Sequence, residues 1–366
     1  MEKLKKYIDS VVTGLDAIQK VPIVDYKTKL RCLRIGDISQ NKSFDNWGYT
    51  NASFLDVKQF LIRNNDNFIA RTGSTIGCSW FADKNFDSVF NNGIIRLRTN
   101  NLMLPKYLSY LMQTASFRKY VYNVGMGSAT QPNIKINDML DYEINVPSIN
   151  IQHHIVNIMG TIDDLIEKKQ VEFNQKVKYL LLLFDKFETK NVSVLDNVFK
   201  TFSGGIFENK YYVDSSKHKL ITIKNVDDDG FNTKNVSYLS KEKANKKYLL
   251  SIGEMVLTMT GNIGRTGIVD EDECYLNQRL LKLSSQSSSY LFAYLQKYKK
   301  EIIQLGKGTA QLNLSLDDLK KLKVFNSYEE IVAFKKYDWI YNSLLNCKLV
   351  IKKAKQINKI LLSKYF

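Results

Sequence analysis

Two stretches of the chain carry apolar residues at the three- and four-residue steps of a helix. Ile151, Ile155, Ile158, Ile162 and Leu165 make one stripe, which Phe173, Val177, Leu180, Phe184 and Phe187 resume after a polar interval. Near the end, Ile340, Leu344, Cys347, Ile351, Ala354, Asn358, Leu361 and Tyr365 step in the same way. That spacing predicts two helices of coiled-coil type, roughly 40 to 55 Å long at 1.5 Å per residue. A helix that outreaches its own domain needs a partner for its stripe, and each of the two supplies the other in an antiparallel pairing.

Ahead of each helix the pattern shortens to strand-like runs broken by glycine turns, and it is written twice. Asp66-Asn67-Phe68-Ile69 leads into Thr72-Gly73-Ser74-Thr75-Ile76-Gly77, and Glu254-Met255-Val256-Leu257 leads into Thr260-Gly261-Asn262-Ile263-Gly264. Both read as a strand ending in a tight turn. Further on, Asn91-Asn92-Gly93-Ile94-Ile95-Arg96-Leu97 matches Asn277-Gln278-Arg279-Leu280-Leu281-Lys282-Leu283. The helical Tyr107-Leu108-Ser109-Tyr110-Leu111 matches Leu291-Phe292-Ala293-Tyr294-Leu295. The clearest pair is Gly125-Met126-Gly127-Ser128-Ala129-Thr130-Gln131-Pro132-Asn133-Ile134 against Gly306-Lys307-Gly308-Thr309-Ala310-Gln311-Leu312-Asn313-Leu314, alike but for one inserted residue in the first copy.

A repeat whose period is half the chain fixes the architecture before any single element is assigned. The expected fold class is α+β: two similar mixed α/β domains separated by two long antiparallel coiled-coil helices, in an internal pseudo-two-fold repeat. The expected boundaries are 1–148 for the first domain, 149–189 for its helix, 190–327 for the second domain and 328–366 for the second helix.

Composition narrows the class of partner. Lys and Arg outnumber Asp and Glu by 53 to 37, a formal charge of +16, which suits a polyanion. Part of that excess is solvated lysine on helix faces. Aromatic residues at 12% are too many for a disordered basic tail. Cys32, Cys78, Cys274 and Cys347 form no C-x-x-C pair, so neither a zinc ribbon nor a disulfide framework is supported and a reducing cytoplasm fits. No apolar run approaches the roughly 20 residues of a membrane span, and the first residues lead into no signal-like stretch.

The glycine turns complete neither G-x-x-x-x-G-K-[ST] nor a G-x-G-x-x-G after a strand, which argues against nucleotide binding. Polar residues around them carry the donor and acceptor pairs that match base edges: Asn and Gln suit adenine, the Arg fork suits guanine. The candidates for DNA contact are Arg71, Ser74, Thr75, Gln131 and Asn133 in the first copy, and Asn262, Arg265, Thr266, Lys307, Gln311 and Asn313 in the second. Each has an alternative role in stabilising its turn. Gln131/Gln311 and Asn133/Asn313 recur in both copies, which favours a shared structural or backbone-contact role, since domains reading different sequences differ where they read bases. Catalytic constellations are missing. The three histidines, His153, His154 and His218, are scattered, no Asn-Pro-Pro-Tyr type motif occurs, and Asp163-Asp164 and Asp227-Asp228-Asp229 lack metal-site spacing.

The order of domain, long helix, domain, long helix, with Gly-x-Gly-Ser-Ala-x-Gln-Pro-Asn-Ile at Gly125–Ile134 ahead of Val146-Pro147-Ser148, resembles the specificity subunit of type I restriction-modification systems over essentially the whole chain. Gln152 to Leu165 with Asp163, echoed by Ile331 to Ile340 with Asp338, is similar to that family's helix start. The second copy departs in having Leu312 in place of Pro132 and no Val-Pro pair. The resemblance implies a non-catalytic DNA-recognition subunit. Each domain is then a target recognition domain reading one half of a split site in double-stranded DNA, and the helices set the gap. Two methylation subunits dock on it, and restriction subunits join through the complex. S-adenosylmethionine and ATP then belong to the partners, and no cofactor or metal is expected in this chain. A coiled-coil scaffold with protein-binding ends is the reading of a different class; a specificity subunit of another methylation-based defence system is the nearer one.

Overall fold

The computed structural model describes residues 1–127, 132–308 and 312–366. It divides into two compact units. The first is Met1–Asp164 with Lys355–Phe366, and the second is Leu165–Ala354.

In the first unit, β1 (Ile8–Thr13), β2 (Ile23–Val24), β3 (Leu30–Leu33), β4 (Gly48–Thr50), β5 (Asn67–Ala70), β6 (Ser79–Phe81), β7 (Ser88–Phe90) and β8 (Ile94–Thr99) form two four-stranded sheets. One is an antiparallel sheet in the order β1-β8-β5-β6; the other runs β2-β4-β3-β7, with β3 and β7 parallel. β5 is buried along its whole length, so its apolar run faces core on both sides. Helices α1 (Pro105–Leu111) and α2 (Ala115–Met126) follow. Pro105 stands in the first turn of α1, where its missing N–H costs nothing. Thr114 caps α2 by accepting from the Phe117 amide at 3.2 Å. Tyr107, Leu108, Tyr110 and Leu111 then seal the antiparallel sheet.

A helix of 39 residues, α3 (Ile149–Phe187), leaves this unit and ends in the second. There β9 (Lys200–Ser203), β10 (Tyr212–Val213), β11 (Lys219–Ile221), β12 (Ser237–Leu239), β13 (Leu249–Leu250), β14 (Met255–Thr258), β15 (Thr266–Ile268), β16 (Cys274–Leu276) and β17 (Leu280–Ser284) repeat the plan. The orders are β9-β17-β14-β15 and β10-β12-β11-β16-β13, with β11 and β16 parallel. Even the register is kept: Phe68 faces Arg96 across the first sheet as Val256 faces Lys282 across the second. Helices α4 (Ser288–Lys297) and α5 (Lys299–Gln304) replace α1 and α2, and α6 (Tyr328–Phe334) and α7 (Asp338–Tyr365) close the chain. The fold is therefore the mixed α/β duplication with two long helices that the pattern predicts.

Each unit borrows the end of a long helix. In the second unit, Phe173, Val177, Leu180 and Phe184 of α3 share one core with Ile340, Tyr341 and Leu344 of α7. Lys176 donates to Ser343 and the Cys347 thiol faces Glu172, so the two helices run antiparallel there. In the first unit, Asn358 donates to Asp163 at 2.7 Å, and Leu361, Leu362, Tyr365 and Phe366 pack on the same core as Ile155 and Met159. Phe366 meets Tyr107 with ring centroids 4.7 Å apart, as Phe184 meets Tyr290 at 4.9 Å.

One part of the predicted stripe differs. Ile151 is exposed, and the face turned inward is Gln152, Ile155 and Met159. Gln152 sits in the core because its side-chain amide accepts from the Leu104 amide at 2.8 Å and donates to the carbonyls of Leu102 and Pro147, both at 2.9 Å. A buried amide is tolerated when all its bonds are made.

Candidate nucleic-acid interface

In the first unit the strand β5 ends in a turn built by Arg71–Cys78. Gly73 and Gly77 have φ of +81° and +83°, and the Ile76 and Cys78 amides close back onto the carbonyls of Gly73 and Thr75. The chain returning from α2 is pinned to this turn: Thr72 pairs with Asn133, the Gly73 amide donates to the Pro132 carbonyl at 3.3 Å, and the Ile134 amide to the Arg71 carbonyl at 2.9 Å. Arg71 is half-buried and its Nε donates to Asn133 Oδ1 at 2.9 Å and to the Ile134 carbonyl at 3.2 Å. Arg71, Thr75 and Asn133 are thus brought together with exposed Ser74 beside them, and Arg71 and Asn133 are bonded to each other. Gln131 lies outside the described residues.

The second unit repeats the clasp. Thr260 pairs with Asn313, the Gly261 amide donates to the Leu312 carbonyl at 2.8 Å, and the Leu314 amide to the Met259 carbonyl at 2.8 Å. Leu312 therefore fills the role of Pro132, because the turn uses only a carbonyl that both residues possess. The clasps differ beside this: the Asn133 amide reaches the Gly125 carbonyl, whereas Asn313 and Lys307 exchange both backbone bonds at 2.9 Å. Gly125 and Gly306 recur for a packing reason, since a Cβ there would stand 2.3 Å from Ile76 Cδ1 and 2.6 Å from Ile263 Cδ1. Gln311 lies outside the described residues.

The other candidates of this unit have partners of their own. Asn262 is exposed, and its carbonyl accepts from the Thr258 hydroxyl at 2.5 Å. The Arg265 fork grips Asp228, Nη2 to Oδ2 at 2.6 Å and Nε to Oδ1 at 3.3 Å, which holds that carboxyl below its usual range. Asp228 is itself largely exposed and is also reached by Lys299 at 3.4 Å, so the carboxylate end of this pair lies at the surface. Thr266 accepts from Gln296 at 3.0 Å on the wall of a cavity of about 520 Å³ floored by Phe173, Val177, Met255 and Phe292. Lys307 Nζ lies 2.8 Å from Asp318, whose carboxyl it holds low.

Sequence reasoning missed the turn that joins these pieces. In the first unit the Asn92 amide donates to the Leu15 carbonyl at 2.7 Å and the Arg71 amide to the Gly93 carbonyl at 2.8 Å. In the second the Gln278 amide donates to the Gly205 carbonyl at 2.8 Å and the Met259 amide to the Arg279 carbonyl at 3.0 Å. The turn backbone is the same, yet Asn92 becomes Gln278 and Gly93 becomes Arg279; Asn92, Gln278 and Arg279 are exposed. The signal was present, because this is a repeated motif whose outward residues change while its frame does not.

This arrangement offers hydrogen-bonding forks, amides and cations to a ligand. Among the described residues no group of three or more His, Cys, Asp or Glu is placed to hold a metal ion, and no helix is long and apolar enough to cross a membrane. The buried Cys32 and Cys274 thiols are pushed up to about 12 by desolvation, away from nucleophilic use.

Comparison with known proteins points one way. The family described as "Type I restriction modification DNA specificity domain" matches residues 27–179 and again 188–325. The type I restriction enzyme MjaIX specificity subunit of Methanocaldococcus jannaschii is 29% identical over 122 residues, which is 31% of this chain and 28% of that relative, so the match spans well under a third of the relative's length. Among solved structures, the S subunit of a type I restriction-modification system from M. genitalium covers 100% of this chain and 95% of its own, at 17% identity and a TM-score of 0.59, and so shares the fold. The HsdS subunit from Thermoanaerobacter tengcongensis aligns over 99% of this chain and 95% of its own, at 14% identity and a TM-score of 0.34.

Proposed function

Because the chain belongs to the type I restriction-modification DNA specificity family, we propose that it is the sequence-specificity subunit of such a complex. Each recognition domain, 1–148 and 190–327, reads one half of a bipartite site in double-stranded DNA. The helical segments 149–189 and 328–366 set the gap and dock methylation subunits, two of them by the pseudo-symmetry. Restriction subunits join through that complex, in the cytoplasm where the DNA lies. The chain itself performs no catalysis; methyl transfer and ATP-driven steps belong to its partners.

The observation that carries this reading is the doubling of one frame with different outward chemistry. Two copies of a sheet, a clasp and an Asn-initiated turn keep their backbone bonds while exchanging Asn92 for Gln278 and Gly93 for Arg279. A two-part reader has a reason to vary exposed positions on a shared frame, because each half-site asks for its own donors and acceptors. The charge of +16 supplies sequence-independent attraction to phosphates.

The test is co-expression with a methylation subunit, followed by titration of the purified complex with duplex DNA at several salt concentrations. The reading expects a stable complex whose affinity falls steeply and linearly in log salt. Failure to bind either the methylation subunit or duplex DNA contradicts it.

A further inference from the structure

In each unit the second sheet carries a tip made of two segments that close over one small core. In the first unit, segments 15–29 and 51–60 meet over Val21, Cys32, Val57 and Val89. In the second, segments 205–212 and 240–248 meet over Leu220, Leu239 and Tyr275, with Phe207 and Ala244 packed in. The cores are equivalent. Both tips also join the variable turn directly, through Leu15 to Asn92 and through Gly205 to Gln278.

The two tips show different mixtures to solvent. The first is the more apolar: Ile18 and Leu55 are each 83% exposed, with Tyr26 and Phe54 about half exposed, beside the scattered exposed Lys20, Lys27, Lys29 and Lys58, whereas the second exposes Ile206 at 77%. The second packs Lys241, Lys243, Lys246 and Lys247 into seven residues, all exposed. Lys243 Nζ stands 4.2 Å over the Tyr211 ring and Lys210 Nζ 5.0 Å over the same ring, while the Ser240 amide donates to the Tyr211 carbonyl at 3.3 Å. That is a lysine-rich rim around an aromatic ring.

Resting on the proposed DNA-reading role, we infer that these tips determine specificity and that the two half-sites are read by unlike chemistry. The first tip uses Ile18 and Leu55 for apolar contact with thymine methyl groups in the major groove, where such contacts discriminate bases. The second tip anchors on phosphates through Lys243, Lys246 and Lys247, leaving Gln278 and Arg279 to read base edges. The shared clasp of Thr72–Asn133 and Thr260–Asn313 is frame, since a surface common to both copies cannot tell one half-site from the other.

The experiment uses the full chain in complex with its methylation subunit. Wild type, an Ile18→Ser/Leu55→Ser variant and a Lys243→Ala/Lys246→Ala/Lys247→Ala variant are compared by mapping the methylated motif and by the salt dependence of duplex binding. The serine variant is expected to relax one half-site to degeneracy at thymine positions while the other half and the gap stay fixed. The alanine variant is expected to keep the motif but lose about 3 from the log–log salt slope, close to one per phosphate contact removed. All five positions are solvent-facing, so unchanged thermal melts accompany these results, and single Leu55→Ser and Lys243→Ala variants repeat them if a multiple variant melts early. An unchanged motif together with an unchanged slope overturns the inference, as does loss of the methylation subunit from the complex with duplex binding and its salt slope unchanged, which makes the tip a protein-binding surface. A wild-type chain that yields no bipartite motif instead contradicts the underlying reading.

Discussion

At the residue scale, the frame depends on a few close approaches that either copy demonstrates independently. Gly14 and Gly204 stand at equivalent strand ends, and a Cβ at either would lie 2.2 Å from a backbone carbonyl oxygen, of Asn91 and Asn277 respectively. Backbone cannot swing aside as a side chain can. Gly14→Ala and Gly204→Ala should therefore each lower stability by about 1–3 kcal/mol, measured by denaturant unfolding, while Gly36→Ala, which meets nothing within 4 Å, serves as the control. The cysteines give a second check. Cys32, Cys274 and Cys347 are buried, with their thiols pushed up by desolvation, and Cys78 is the half-exposed one. Thiol labelling of the native chain should mark Cys78 well before the others; equal labelling of all four would mean the cores open readily. The sequence showed the candidate polar residues but not their partners. Arg71 and Asn133 were chosen for their donor and acceptor chemistry, and that same chemistry binds them to each other across 62 positions of chain, a pairing only the fold creates.

At the element scale, the apolar spacing identified the long helices and the glycine turns marked the strand ends. Legibility failed where a polar residue entered the core. Gln152 occupies an inward position because Leu102, Leu104 and Pro147 supply its bonds, and no periodicity argument anticipates that. It also failed where the second copy breaks its helix into α6 and α7 across a tight 3₁₀ turn at Lys335–Tyr337. The pairing of α3 with α7 in the second unit is tuned by Glu172, whose carboxyl is held down to about 2 by hydrogen bonds from Lys169 and Lys176. A carboxyl lowered on folding stabilises the fold above its unfolded value near 4.5, and that contribution is lost as pH falls toward 2. Thermal melts of Glu172→Gln should accordingly lose part of the drop that the wild type shows between about pH 5 and pH 2. The group is partly exposed, so the effect is small and shrinks with added salt.

At the scale of the whole molecule, each unit includes the end of a long helix. The first unit takes in residues 355–366 from far along the sequence, and the second, continuous from 165 to 354, begins with residues 165–187 of α3. The internal repeat made the duplication visible in the sequence. Which helix end completes which unit was not, because that is decided by contacts such as Phe366 on Tyr107 and Phe184 on Tyr290. Phe184 is fully buried, so Phe184→Ala should cost about 3–5 kcal/mol and raise hydrogen exchange in the second unit first. Phe366 is half-buried, so Phe366→Ala should cost less and loosen the first unit, around α1 and Tyr107. The proposed recognition residues are the least legible part, since they are sought where the two copies differ and repetition gives no help. The central claim, two readers on one chain, is tested most directly by mapping methylated bases across a genome in cells that carry a cognate methylation subunit, with and without this chain. The account predicts a bipartite motif with one fixed gap that appears only when the chain is present. A continuous motif, or methylation that does not change with the chain, would contradict it.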